Sequence, residues 1–173
     1  MDDSQLTTDN LAPEPVFSAD DNLSTLLIKA YQGEVSGEVL FGRLSQRTDD
    51  ADHRQKLEAL RLLEARTRNA MVPAMERNGL PTDPDPEVEH DAETLAAAAA
   101  TLEWSDLLAA FEPITTQFIG LYQRIGELAA EEDRAVAELL VAHDEALREF
   151  GRRELSDRGN DSLDQISALP HMR

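Results

Sequence analysis

The stretch 60-LRLLEARTRNAM-71 decides how this chain folds. At 3.6 residues per turn, Leu57, Leu60, Glu64, Thr67, Met71 and Ala74 fall on one face of a helix. Four of the six are apolar, and the two that are not, Glu64 and Thr67, sit mid-helix. A carboxylate at the centre of an apolar stripe is costly to bury alone. The stretch therefore predicts a long core helix with a polar centre. Snorkelling of Glu64 to the surface is the alternative.

The composition agrees with a helical domain. The chain has 173 residues, enough for one domain with a real core, and 41% are hydrophobic. Ala, Leu, Glu and Arg dominate, and strand formers are sparse. The formal net charge of -19 repels phosphates, which argues against nucleic acid as a partner. The absence of cysteine excludes disulfides, thiolate metal sites, iron–sulfur clusters and a cysteine nucleophile. The N-terminus, MDDSQLTTDNLAPEP, is too acidic and polar for a signal peptide, and no apolar run reaches membrane-spanning length. A cytoplasmic protein without membrane contact is expected.

The chain divides into three parts. Residues 1–17 are polar and acidic, carry Pro13 and Pro15, and read as disordered. Residues 18–155 read as four long helices. Ser18 with Asp21 has the pattern of a capping box, starting a first helix that runs to about Gln46. A second helix follows from about Ala51 and stops near Asn78-Gly79. A proline-rich loop and the alanine-rich segment DAETLAAAAATLEW come next, with Ser105 as a candidate cap for a new helical piece. Pro113 either kinks the third helix or marks its first turn. The third helix reaches about Leu128, and the fourth runs from about Ala130 to Leu155. Residues 156–173 form a tail whose Leu163, Ile166 and Leu169 could dock on the helices. The long connection between the second and third helices predicts an all-α four-helix bundle with a crossover; a plain up-down bundle is the alternative.

The same polar interruption appears in other helices. In the first, Leu23, Leu27, Ala30, Glu34, Gly37, Phe41 and Leu44 share a face, with Glu34 at its middle. In the fourth, His143 holds that place among Val136, Leu139, Ala146 and Phe150. Three helices thus each carry one ionisable group at mid-height, where together they could satisfy one another or hold a cation. The third helix centres on Phe111, Ile114, Phe118, Leu121, Tyr122 and Ile125. Glu112 lies at the edge of that stripe, equally compatible with an inward and a surface position. A faint repeat aligns the segment around Glu34 with that around Glu112.

On Glu34, Glu64, Glu112 and the stretch LLVAHDEALREF, residues 20–155 resemble the ferritin-like superfamily, of the rubrerythrin and bacterioferritin type. In that family each helical hairpin supplies one glutamate and one Glu-x-x-His to a di-metal site. The resemblance implies iron or manganese and oxidoreductase chemistry with dioxygen or peroxide. The ligand set departs from the family: Thr67 stands where the histidine belongs after Glu64, and Leu147 stands three residues after Asp144. What remains is a candidate single-metal carboxylate–histidine site of Glu34, Glu64 and His143 with Glu112, supported by Tyr31, Thr67 and Asp144. A hydrogen-bonded cluster without any metal is an equal alternative.

Two functions follow as expectations. One is a ferritin-like metal-binding oxidoreductase whose buried apolar walls admit a small apolar substrate. The other is a bundle that has lost its metal and serves in interaction or assembly. A homodimer through helix faces is expected in either case. His53, His90 and His171 are scattered through a first turn, a loop and the tail, and form no zinc motif.

Overall fold

A computed structural model describes residues 15–156 and 158–173 of the chain. The described residues are helical, with no strand among them. Seven α-helices follow in order: α1 (Leu23–Arg47), α2 (Ala51–Arg77), α3 (Pro86–Ala99), α4 (Trp104–Ala109), α5 (Phe111–Leu128), α6 (Arg134–Glu154) and α7 (Asp164–Ala168). The expected disorder of residues 1–14 lies outside the described residues. Residues 16 and 17 are attached: Val16 N–H donates to Gln117 Oε1 at 3.1 Å, and Phe17 packs on the core.

Local chemistry sets the helix ends. The Ser18 pattern does close on itself, with Ser18 N–H donating to Asp21 Oδ2 at 2.9 Å, but it makes a turn ahead of the helix. The true cap of α1 is Asn22, whose Oδ1 accepts from Thr25 N–H at 2.9 Å. Asp50 caps α2 in the same way through His53 N–H. α2 ends as expected at Gly79, whose φ of 67° lies in the left-handed region, where a Cβ is penalised. Asp85 and Pro86 start α3 earlier than the loop reading allowed, at Pro86 and not Asp91: Asp85 accepts from Glu87 N–H, and Pro86 takes the first helical position. Ser105 does not cap; Glu103 precedes α4 without a side-chain cap bond. Pro113 sits in the first turn of α5, where its missing N–H costs nothing.

The four long helices form a closed ring of neighbours: α1 packs on α2, α2 on α6, α6 on α5, and α5 on α1. Two apolar clusters fill the ring at different heights. The first gathers Leu27, Tyr31, Met71, Ile125 and Leu140; the second gathers Phe41, Leu60, Leu63, Phe111 and Phe150. Their membership fixes the chain directions. α1 and α6 run from the first cluster to the second, and α2 and α5 run the other way. The chain therefore has to return between α2 and α5. α3 makes that return along the outside of α1, with Val88 against the first cluster and Ala99 in the second.

The tail is part of the packed body. Ile166 and Leu169 are buried in the second cluster, and Arg66 Nη1 donates to Met172 O at 2.6 Å. No helix among the described residues is long and apolar enough to cross a membrane.

Candidate metal centre

Between the two apolar clusters lies a polar layer. α1 contributes Glu34, α2 contributes Glu64 and Thr67, and α6 contributes His143 and Asp144; all five are buried. The layer falls where the stripes predicted it. On α2 the whole line from Leu57 to Ala74 is buried, with Glu64 and Thr67 at its middle. On α6 the buried face is rotated slightly from expectation. Ala137 and Leu140 are buried, while Val136 and Leu139 lie at its edge. That rotation brings Asp144 inside next to His143.

Glu34, Glu64 and His143 are 1%, 5% and 1% exposed. Their ligand atoms lie within 4.8 Å of one another. His143 Nδ1 is 3.5 Å from Glu34 Oε2, and His143 Nε2 is 3.4 Å from Glu64 Oε1 and 3.7 Å from Asp144 Oδ1. Space for Glu64 comes from Gly37: a Cβ there would lie 2.5 Å from Glu64 Oε2. Tyr122 from α5 donates its hydroxyl to Glu34 Oε1 at 3.1 Å. Glu34 Oε2 and Asp144 Oδ2 are buried without a hydrogen-bond partner.

Burial sets the electrostatics. It pushes Glu34 well above the usual carboxylate range, with His143 pulling back and Glu64 adding to the rise. Burial raises Glu64 to about 8, partly offset by its hydrogen bond with Glu34. Asp144 is raised well above its ordinary value by burial, and so is the Tyr122 phenol. Such groups hold protons at neutral pH unless a cation replaces them.

Thr67 has a defined role in this layer. Its Oγ1 lies 2.7 Å from His143 Nδ1 and 3.0 Å from His171 Nε2. Two proton arrangements satisfy this chain. In one, His143 Nδ1–H donates to Thr67 and the Thr67 hydroxyl donates to His171, which leaves the His143 Nε2 lone pair facing Glu64 and Asp144. In the other, every proton moves one step the opposite way and His143 Nε2–H faces the carboxylates. Burial, followed by nearby His143 and Arg66, holds His171 below the ordinary histidine range, so it is a neutral partner in either arrangement. The row runs from a half-buried tail residue to the buried cluster, and shifting between its two states moves one proton along it.

Two expected participants lie elsewhere. Glu112 is on the surface, paired with Arg152 at 2.7 Å, which lowers its pKa. It sits in the first turn of α5, at the level of the second apolar cluster and too far along the helix for the polar layer. Tyr31 is buried but donates to Thr82 O at 2.7 Å, tying down the connection after α2. Tyr122 and His171 complete the layer instead. The α5 stripe signalled Tyr122 as core, and no sequence spacing signalled His171. A second grouping of possible ligands, Asp50, Asp52 and His53, is already engaged at the surface. There Asp50 caps α2, Asp52 pairs with Lys56, and His53 stacks on Trp104 with ring centroids 4.0 Å apart.

A cavity of about 220 Å³ reaches this layer from between α1, α5 and α6. Leu40, Phe41, Phe111, Ile114, Phe118 and Leu147 contribute apolar walls, and Glu34, Glu64, His143 and Asp144 border it.

Comparison with family models, with curated proteins and with solved structures finds no match to this chain.

Proposed function

We propose that the protein binds a divalent transition metal at Glu34, Glu64 and His143, with Asp144 as a fourth donor, on a ferritin-like bundle whose crossover is the segment containing α3. One observation carries the reading: three ligand side chains from three helices converge within 4.8 Å in a buried layer that leaves two carboxylate oxygens unpartnered. A protein rarely leaves such oxygens unsatisfied. Carboxylates with one imidazole suit iron, manganese or zinc. The up-down-down-up course of α1, α2, α5 and α6 supports the ferritin-like topology.

A bound iron or manganese would supply one-electron chemistry with dioxygen or peroxide. The chain's own residues have separate work. Glu34 and Glu64 hold the cation as anions, so each gives up its proton on loading. Tyr122 orients Glu34 through its hydroxyl. Thr67 and His171 couple to His143 Nδ1 and offer the imidazole proton a way out. The two apolar clusters keep bulk water from either side of the layer.

Loading with Mn(II) or Fe(II) under anaerobic conditions, followed by desalting and elemental analysis, tests the reading. About one metal per chain is expected for a single site. Substoichiometric metal after loading would reject it and leave a proton-sharing cluster in an interaction protein. Glu112→Ala serves as a control that leaves loading unchanged.

Thr67→Val tests the supporting row. It keeps the shape of the side chain and removes the hydroxyl between His143 and His171. Outer hydrogen-bond partners of metal ligands are worth roughly 10–100-fold in affinity. The expected outcome is a loss of that size in Mn(II) affinity by titration, with Thr67→Ser restoring it. Equal affinities for the valine and serine variants would remove Thr67 from the site.

A further inference from the structure

We infer that the cavity above the polar layer is a binding site for a small, neutral, mostly apolar molecule of monocyclic size that carries one hydrogen-bond donor, as a phenol does. The inference deepens the metal-site reading, because the floor of this cavity is the proposed cation site.

Size comes first. The cavity measures about 220 Å³. A dry apolar cavity of roughly 150 Å³ is enough to take benzene. The space here therefore fits one ring with a substituent and excludes a nucleotide or a long acyl chain.

Chemistry comes second. The walls are the side chains of Leu40, Phe41, Phe111, Ile114, Phe118 and Leu147, and no lysine or arginine is among the lining residues. In the metal-free protein an anion would meet Glu34, Glu64 and Asp144 with no lysine or arginine beside them. A cation would have to shed its hydration against apolar walls. A neutral molecule meets neither cost. The floor supplies oxygens in need of a hydrogen-bond partner, which a hydroxyl can satisfy as donor or acceptor, since Glu34 and Asp144 border the cavity and each has one buried oxygen without a partner.

Access comes third. Ile114, placed in the core by the α5 periodicity, is 49% exposed, and Leu95 from α3 is 52% exposed; both line the cavity. Two exposed apolar side chains at the rim of a mostly apolar cavity form an entrance that favours an apolar ligand over a hydrated ion.

The test is ligand titration followed by amide chemical-shift changes, run on the full chain in chelator and again after Mn(II) was replaced by diamagnetic Zn(II). Phenol, toluene, benzoate and benzylamine are the probes. Phenol is expected to bind with Kd of about 1 mM or tighter, with shifts centred on Leu40, Ile114 and Phe118. Toluene is expected to be weaker, and benzoate and benzylamine to be silent in chelator. Leu40→Trp fills the cavity and should weaken phenol at least about tenfold, as expected when a preformed pocket is blocked. Ile114→Asp, at an exposed position that folding tolerates, should weaken it too. Silence of phenol in both preparations, equal binding to both variants, or preference for benzylamine or benzoate would overturn the inference. Binding in chelator without any metal uptake would sink the metal reading and leave the pocket standing. Metal uptake with phenol silent would do the reverse.

Discussion

Glu64→Gln is expected to abolish tight metal binding while leaving the metal-free protein as stable as before, or more so. The substitution keeps the volume and hydrogen bonding of the side chain and removes only its ability to become an anion. Loss of a charged ligand from a small donor set exceeds the loss of an outer partner, so the fall in Mn(II) affinity should be at least about 100-fold. A purely structural glutamate behaves in the opposite way. Buried at 5% exposure with its pKa near 8, Glu64 is held in the fold at a cost, and an amide without that cost does not destabilise it. Isothermal titration with Mn(II) and thermal melts at pH 8 separate the two. Unchanged metal affinity together with a lower melting temperature would show that Glu64 is there for the fold alone.

The metal-free protein is expected to lose stability as pH rises from about 5 to 8, against the usual trend, and metal should reverse the loss. The sign follows from proton counts. Glu34, Glu64 and Asp144 all have folded pKa values above their unfolded ones. Between the unfolded value and the folded one, the native state binds more protons than the unfolded chain. Their stabilisation is thus complete below the unfolded value and lost as pH climbs toward the folded one. For Glu64 that window runs from 4.5 to about 8. Each such group removes about 1.4 kcal/mol per pH unit inside its window. Surface carboxylates such as Asp21 and Glu93, lowered by Lys29 and Arg43, lose their contribution below pH 4, which sets the acid limit. His171, whose pKa is lowered by burial, acts in the opposite direction, gaining stability as pH rises toward its ordinary value of 6.5, but as one half-buried group it offsets only part of the trend. A cation takes the place of the protons and binds more tightly as pH rises. Melts in chelator should therefore fall from pH 5 to 8, and melts in excess Mn(II) should rise. Metal-free melts that stay flat across this range would show that these carboxylates are not protonated in the fold.

Register within a helix was legible in the sequence, because burial follows a 3.6-residue period. Glu34, Glu64 and His143 stand at mid-stripe, and the structure brings them together. The all-helical class was legible from the dominance of Ala, Leu, Glu and Arg and the scarcity of strand formers. Errors arose where position along the helix axis mattered. Glu112 shares an edge with the α5 stripe, but it lies in the first turn of the helix and so reaches a different layer. Asp144 depended on a small rotation of α6 that no periodic average resolves. His171 meets Thr67 across 104 positions of chain, a distance that local patterning does not span. The Ser18 cap was displaced because two competent patterns lie four residues apart, and Asn22, nearer the apolar run, took the helix.

Gly37 and Glu64 can change in only one order. A methyl group at position 37 would lie 2.5 Å from Glu64 Oε2, so alanine arriving there first collides with an intact cluster. If Glu64 is first cut back to alanine, the obstacle is gone and position 37 becomes free to vary. Once alanine occupies 37, a glutamate can no longer return to 64 without that alanine leaving. The pair is a ratchet: a lineage that gives up this carboxylate and then fills the space above it has closed the road back to the buried site.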